Sequence, residues 1–168
     1  MQVPSQTTKK KESAHAPVGF STNKHLELKG HSKGINWVSL SPLDEKITSV
    51  GLDGTLKIFS CKLRSTEMNI KDSDYLLIDK KVDRIVPDLN IQQFKRILYC
   101  NKDVLVALAE DEKTLIFMDG KNAKALTVIQ NSTLYGAKIT SWAVSADGKY
   151  LFTGGEDNVI HMWSVPVI

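Results

Sequence analysis

The sequence predicts an all-β protein, and two observations carry that expectation. Short apolar runs rich in Val, Ile, Leu, Thr and aromatics recur about every ten residues from His25 onward. Turn-forming pairs, Asp53-Gly54 and Asp147-Gly148 above all, stand between them. The spacing is that of strands joined by tight turns. Few stretches support a helix of three turns, and the best helical candidate, Asn90–Ile97, is short.

Taken in order, residues 1–24 read as a basic flexible tail, with Pro4, Pro17, many Ser and Thr and no periodicity. The predicted strands then follow at His25–Lys29, Ile35–Ser41, Ile47–Gly51, Thr55–Cys61, Tyr75–Asp79, Phe94–Cys100, Val104–Ala109, Thr114–Met118, Ala125–Ile129, Ile139–Ser145, Tyr150–Thr153 and Val159–Val165. With 168 residues, 42% hydrophobic and 24% charged, the chain has ordinary globular composition. No apolar run approaches the roughly eighteen residues of a membrane span, and no signal peptide is visible. Two cysteines, Cys61 and Cys100, are too few for a disulfide scaffold or a structural zinc site. A reducing compartment is the simplest expectation, and with it an intracellular, cytoplasmic location.

The net charge of +3 sits entirely in the tail, where Lys9, Lys10, Lys11 and Lys24 oppose Glu12. The rest of the chain is neutral and holds only the arginines Arg64, Arg84 and Arg96. A groove that reads phosphates favours clustered arginine, so nucleic-acid binding is disfavoured except through the tail.

The strand runs repeat. Ile35–Ser60 lies over Ile139–Ser164 without a gap, at a constant offset of 104 residues. Identities fall at Ile35/Ile139, Ser41/Ser145, Gly51/Gly155, Asp53/Asp157 and Ser60/Ser164. Between these copies, TLIFMD at 114–119 matches TLKIFS at 55–60, which places Glu112 over Asp53. Three four-stranded units result, at about 25–61, 74–119 and 125–165, with one longer connection at 62–93.

The first unit reads Gly30-His31, Ser49, Asp53-Gly54 and TLKIFS. The last reads Thr153-Gly154-Gly155-Glu156-Asp157 followed by VIHMWS. These segments resemble the WD-repeat family of β-propellers. The resemblance implies a partial WD-repeat propeller over residues 25–168, working as a non-catalytic protein-interaction scaffold or assembly subunit. It also implies a structural hydrogen-bond network within each unit: His31, Ser49 and Asp53 in the first, Thr153, Asp157 and Trp163 in the last. Phe59 stands where the first unit should have its tryptophan, and Tyr135 where the last should have its histidine. The middle unit is expected to have no network.

The set Ser49, His31 and Asp53 invites comparison with a hydrolase triad, but the chain has no G-x-S-x-G elbow. His161 and Trp163 share one face of the last strand, which suggests packing between units. His15, His25, His31 and His161 have no metal-ligand spacing with the cysteines. Gly154-Gly155 lacks the further residues of a phosphate loop, and Asn131-Ser132-Thr133 is a sequon by spelling alone. No catalytic residue, cofactor, metal or small-molecule substrate is expected.

Three blades are too few for a ring of four to eight. An open end face exposes several hundred Å² of apolar surface, worth on the order of 10 kcal/mol. The expected partners are therefore another protein or a second copy completing the propeller, or missing chain of a larger parent. The alternative is an accessory subunit of an enzyme or nucleic-acid complex, tethered through the basic tail.

Overall fold

The structure is a computed structural model and describes residues 27–43, 46–60, 76–130 and 136–168. The expected tail at 1–24, His25, Cys61, the sequon and Tyr135 lie outside the described residues.

Three antiparallel sheets follow one another along the chain. The first holds β1 (Ile35–Leu40), β2 (Lys46–Gly51), β3 (Thr55–Ser60) and β4 (Leu76–Lys81), hydrogen-bonded in chain order. A four-residue helix, α1 (Val82–Ile85), leads out of β4. The second holds β5 (Phe94–Tyr99), β6 (Val104–Ala109), β7 (Thr114–Asp119) and β8 (Ala125–Gln130), again in chain order. The third holds β9 (Ile139–Val144), β10 (Tyr150–Gly155) and β11 (Ile160–Ser164), in the order β11-β10-β9. In each sheet, strands consecutive along the chain pair antiparallel, which makes each sheet a meander. The architecture is all-β and consists of three successive propeller-type blades.

Residue alternation sends the two faces of each blade to different neighbours. Thr48 pairs with Ile58 and Val50 with Leu56, so these four share the face of the first blade that meets the second. There Val50, Leu56 and Ile58 join Phe94, Ile97, Tyr99, Leu105, Ala107, Ile116 and Met118 in one core. The opposite face of the second blade, with Val104, Val106, Leu108, Leu115 and Phe117, packs on Ile139, Leu151 and Val165 of the third. All six residues of β6 are therefore buried, and so are the first five of β7. This explains why VLVALA and TLIFM read as unbroken apolar runs rather than as alternating ones.

Polar contacts fix the innermost strands against each other. The Tyr99 N–H donates to Ser39 Oγ at 3.1 Å, and Asn36 Nδ2 donates to the Phe94 carbonyl at 3.0 Å. Thr48 Oγ1 and the Tyr99 hydroxyl lie 2.9 Å apart between the first two blades. Burial raises the Tyr99 phenol above its ordinary range, and the bond to Thr48 opposes that shift. Burial alone pushes the free Cys100 thiol up to about 12, so it is no nucleophile at neutral pH.

Several sequence expectations are corrected. Asn90–Ile97 is not helical: residues 90–93 are irregular and β5 begins at Phe94. Phe94, Ile97 and Tyr99 are buried, so pairing with β6 outweighs any local helical preference. The described part of the first predicted strand, residues 27–29, is not a strand, and no described strand pairs with it. The units read from the sequence are one strand out of phase with the sheets. The strand predicted at Tyr75–Asp79 pairs with β3 in the first sheet, and Ala125–Gln130 pairs with β7 in the second. An antiparallel strand pairs with the strand it turns back on, whatever the sequence repeat.

Because the second blade is buried on both faces, its core residues should dominate stability. Phe117→Ala should cost about 3–5 kcal/mol. Ile160→Ala, at a site 78% exposed, should cost less than about 0.5 kcal/mol. Urea denaturation of the two variants under identical conditions measures the difference.

Candidate functional site

The marked residues gather at the turn between the second and third strands of each blade. In the first blade this turn is Leu52-Asp53-Gly54, and Gly54 has φ +68°. The Gly54 N–H bonds the Gly51 carbonyl at 3.1 Å. A Cβ on Gly54 would lie 2.8 Å from the Gln92 carbonyl oxygen, so both conformation and space favour glycine there.

This turn presents the Asp53 carboxylate to four donors. It accepts from the Ser32 N–H at 2.9 Å, the Thr55 N–H at 3.1 Å and the Thr55 hydroxyl at 2.6 Å. His31 Nδ1 lies 3.0 and 3.1 Å from its two oxygens. A carboxylate only accepts, so Nδ1 carries the proton and donates. His31 Nε2 lies 2.7 Å from the Ser49 hydroxyl, from which it accepts when the ring is neutral. Gly51 makes room for the ring, since a Cβ there would stand 2.6 Å from His31 Nδ1. The His31 and Asp53 side chains are only 4% and 6% exposed. Burial by itself would raise the Asp53 carboxyl, but Thr55, Ser32 and His31 together hold it well below the usual carboxylate range.

In the third blade the same turn contains Asp157 and Asn158, and Asn158 (φ +62°) takes the place of Gly54. Asp157 accepts from the Val159 N–H at 3.2 Å and from His161 Nε2 at 2.6 Å. The bond from His161 and then that from Val159 lower the Asp157 carboxyl. The Trp163 indole N–H donates to Thr153 Oγ1 at 2.8 Å. The His161 and Trp163 rings have centroids 5.9 Å apart. The sequence assigned His161 only to packing between units. Its imidazole instead approaches the carboxylate from the strand that follows the turn, whereas His31 approaches from the segment preceding β1.

The second blade has a turn network that the sequence missed. Asp111 accepts from the Lys113 N–H and the Thr114 N–H, both at 2.9 Å, and from the Thr114 hydroxyl at 2.6 Å. Asp111, not Glu112, therefore corresponds to Asp53. Three turn bonds show the register: Gly54 N–H to Gly51, Glu112 N–H to Ala109 and Asn158 N–H to Gly155. Glu112, with φ +58°, corresponds to Gly54. Lys113 is an extra residue before β7, and a gapless alignment of TLIFMD with TLKIFS hides it. The displaced Glu112 instead binds Lys95 and, at 3.2 Å, Lys138, which lower its carboxyl in that order.

Arg96 was also missed. Its guanidinium lies 5.5 Å from the Trp37 ring centroid in the first blade and donates to the Thr140 carbonyl of the third at 2.7 Å. One β5 side chain thus links all three blades. No local pattern marks such a residue, because its partners lie 59 and 44 positions away. Among the described residues, no group of three or more His, Cys, Asp or Glu side chains is placed to hold a metal ion. No described helix is long and apolar enough to cross a membrane.

Blades of four antiparallel strands, an aspartate in the turn after the second strand and an indole bonded to a hydroxyl on the neighbouring strand define a propeller-type repeat protein. The family described as WD domain, G-beta repeat matches residues 22–60 and 129–164. The chain belongs to the WD-repeat family. The two matches take in the first three strands of the first blade and all three of the third. No curated protein matches the chain.

The Asp53 carboxylate gives a pH prediction with a defined sign. Its folded pKa is depressed, so its contribution to stability is complete above the unfolded value of about 3.9. That contribution is lost as pH falls from there toward the lower folded value. Asp53→Asn should flatten the stability profile between about pH 5 and pH 2 and cost about 1–3 kcal/mol at neutral pH. Urea midpoints across that range measure both effects, and a profile as steep as wild type would contradict the assignment.

Proposed function

We propose that this chain is a non-catalytic assembly module whose end faces are covered by further blades, from a second copy or from a partner protein. WD repeats mediate protein–protein interaction and scaffolding in general. The observation that carries the narrower reading is the uncovered apolar surface on the two outer blades. Val38, Leu40 and Leu77 are 53%, 47% and 37% exposed. They share the face of the first blade that points away from the second, as their pairing with Ser49, Ile47 and Phe59 requires. On the far side of the third blade, Ile160 and Met162 are 78% and 62% exposed, with Tyr150 and the half-buried Phe152 beside them. Both faces are of the kind that the second blade buries completely. In addition, β11 pairs with β10 alone, so one edge of the third sheet meets no described strand.

The geometry also bears on the triad question. Ser49, His31 and Asp53 are linked as a hydrolase triad would be, but Ser49 lies within β2, paired with Val38 on one side and Lys57 on the other. It is 4% exposed, which leaves no approach for a substrate. Its hydroxyl is consumed in satisfying the buried imidazole, and this supports a structural role. The alternative of a tail-tethered accessory subunit rests on residues 1–24, outside the described residues.

Uncovered faces make stability depend on whatever covers them. Light scattering over a dilution series should show association, and thermal midpoints should fall on dilution or rise on adding the partner. A monodisperse 18.7 kDa species with a sharp, concentration-independent melt would refute the proposal.

A further inference from the structure

A groove on the outer rim lies between the segment that follows β4 and the outer strand of the second blade. Ile85, Val86, Pro87 and Leu89 form one wall, and Ala125 and Val128 of β8 form the other, enclosing about 540 Å³. Val128 pairs with Ile116 and Ala125 with Met118. Both therefore lie on the side of β8 that looks toward the first blade, where the walls converge. Val128 is 40% exposed. A second cavity of about 360 Å³ shares Ile85 and Ala125 with the first and continues it past Lys80, Arg84 and Lys124.

These three cations are exposed. Most other described lysines sit near a carboxylate: Lys57 at Asp79, Lys95 and Lys138 at Glu112, Lys102 and Lys121 at Asp103, Lys149 at Asp147. Lys80, Arg84 and Lys124 have no carboxylate partner among the described residues. Asp83 and Asp88 lie on the same segment without pairing to them, and Asp88 lines the apolar half of the groove. Three unneutralised cations lining one short cleft repel each other and favour an anionic group there. Beside the groove, β8 is the end strand of its sheet and offers one row of backbone donors and acceptors that no described strand uses.

We propose that this rim groove is a docking site for a short extended segment of a partner protein, with apolar side chains next to Asp or Glu residues. The apolar side chains enter between Leu89 and Val128, the carboxylates meet Lys80, Arg84 and Lys124, and the peptide backbone runs alongside β8. The site goes beyond the covering of the end faces. It is built by the first and second blades, whose mutual packing is complete in this chain, and so does not depend on ring closure.

The test uses the full chain and a fluorescein-labelled synthetic peptide, with two leucines one residue apart followed by three glutamates. Fluorescence anisotropy should show saturable binding that weakens as salt rises. The same peptide with glutamines in place of the glutamates should bind about tenfold or more weakly, and so should the chain carrying K80E, R84E and K124E. Val128→Glu should weaken binding while leaving the circular dichroism spectrum and thermal midpoint unchanged, since the site is exposed. Equal binding of the glutamine peptide, or binding unaffected by the triple reversal, would overturn the proposal. So would no binding at millimolar peptide, or a basic cluster that retains RNA but not the peptide. The groove lies between the first and second blades, away from the end faces, and the variants and wild type are compared at one protein concentration, so this site and the end-face reading fail separately.

Discussion

Burial of the second blade on both faces is the constraint on which the rest of the structure depends. A four-stranded meander has two faces and cannot cover either by itself. Here the second blade has a neighbour on each side, and its central strand β6 has no polar side chain with which to form any other contact. The first and third blades each have one such interface, and each leaves apolar side chains exposed on the side away from it. The core is therefore two interlayer seams rather than one centre. A change in β6 or β7 acts on whichever seam its side chain faces, and a change in backbone register acts on both.

The turn aspartates solve a local problem created by this stacking. Tight turns between the second and third strands leave backbone N–H groups without strand partners. Asp53, Asp111 and Asp157 each accept from one or two of those N–H groups. What differs is the second ligand of the carboxylate. It is His31 together with Thr55 in the first blade, Thr114 in the second and His161 in the third. The shared element is the turn, and the imidazole is recruited from wherever the chain brings one within reach. In the first blade the Phe59 side chain has no N–H to donate, and Ser49 bonds the imidazole; in the third, Thr153 accepts from Trp163 instead.

Much of the fold was legible in the sequence. Alternating Val, Ile and Thr runs between Asp-Gly turns specify strands, and ten-residue spacing specifies meanders. The offset of 104 residues exposed the repeat through Gly51/Gly155 and Asp53/Asp157, positions held by turn geometry rather than by packing. The alignment failed at Glu112 because the extra Lys113 lies in a turn, where an insertion does not disturb the alternation of the flanking strands. The helix expected near Asn90 failed because local propensity cannot weigh the burial of Phe94 and Ile97 against β6 and the first blade.

The sequence by itself determined the class and the number of blades, since strand alternation and the repeat of turn residues both follow from local chemistry along the chain. Tertiary structure decided the rest. Pairing placed β4 and β8 in the sheets they complete rather than in the repeats they open. Packing brought Arg96 between Trp37 and Thr140 and set His161 against Asp157. It also set Lys80, Arg84 and Lys124 together with no carboxylate partner among the described residues. These pairings join residues by distance in space, and a pattern of spacings along the chain contains no term for that distance.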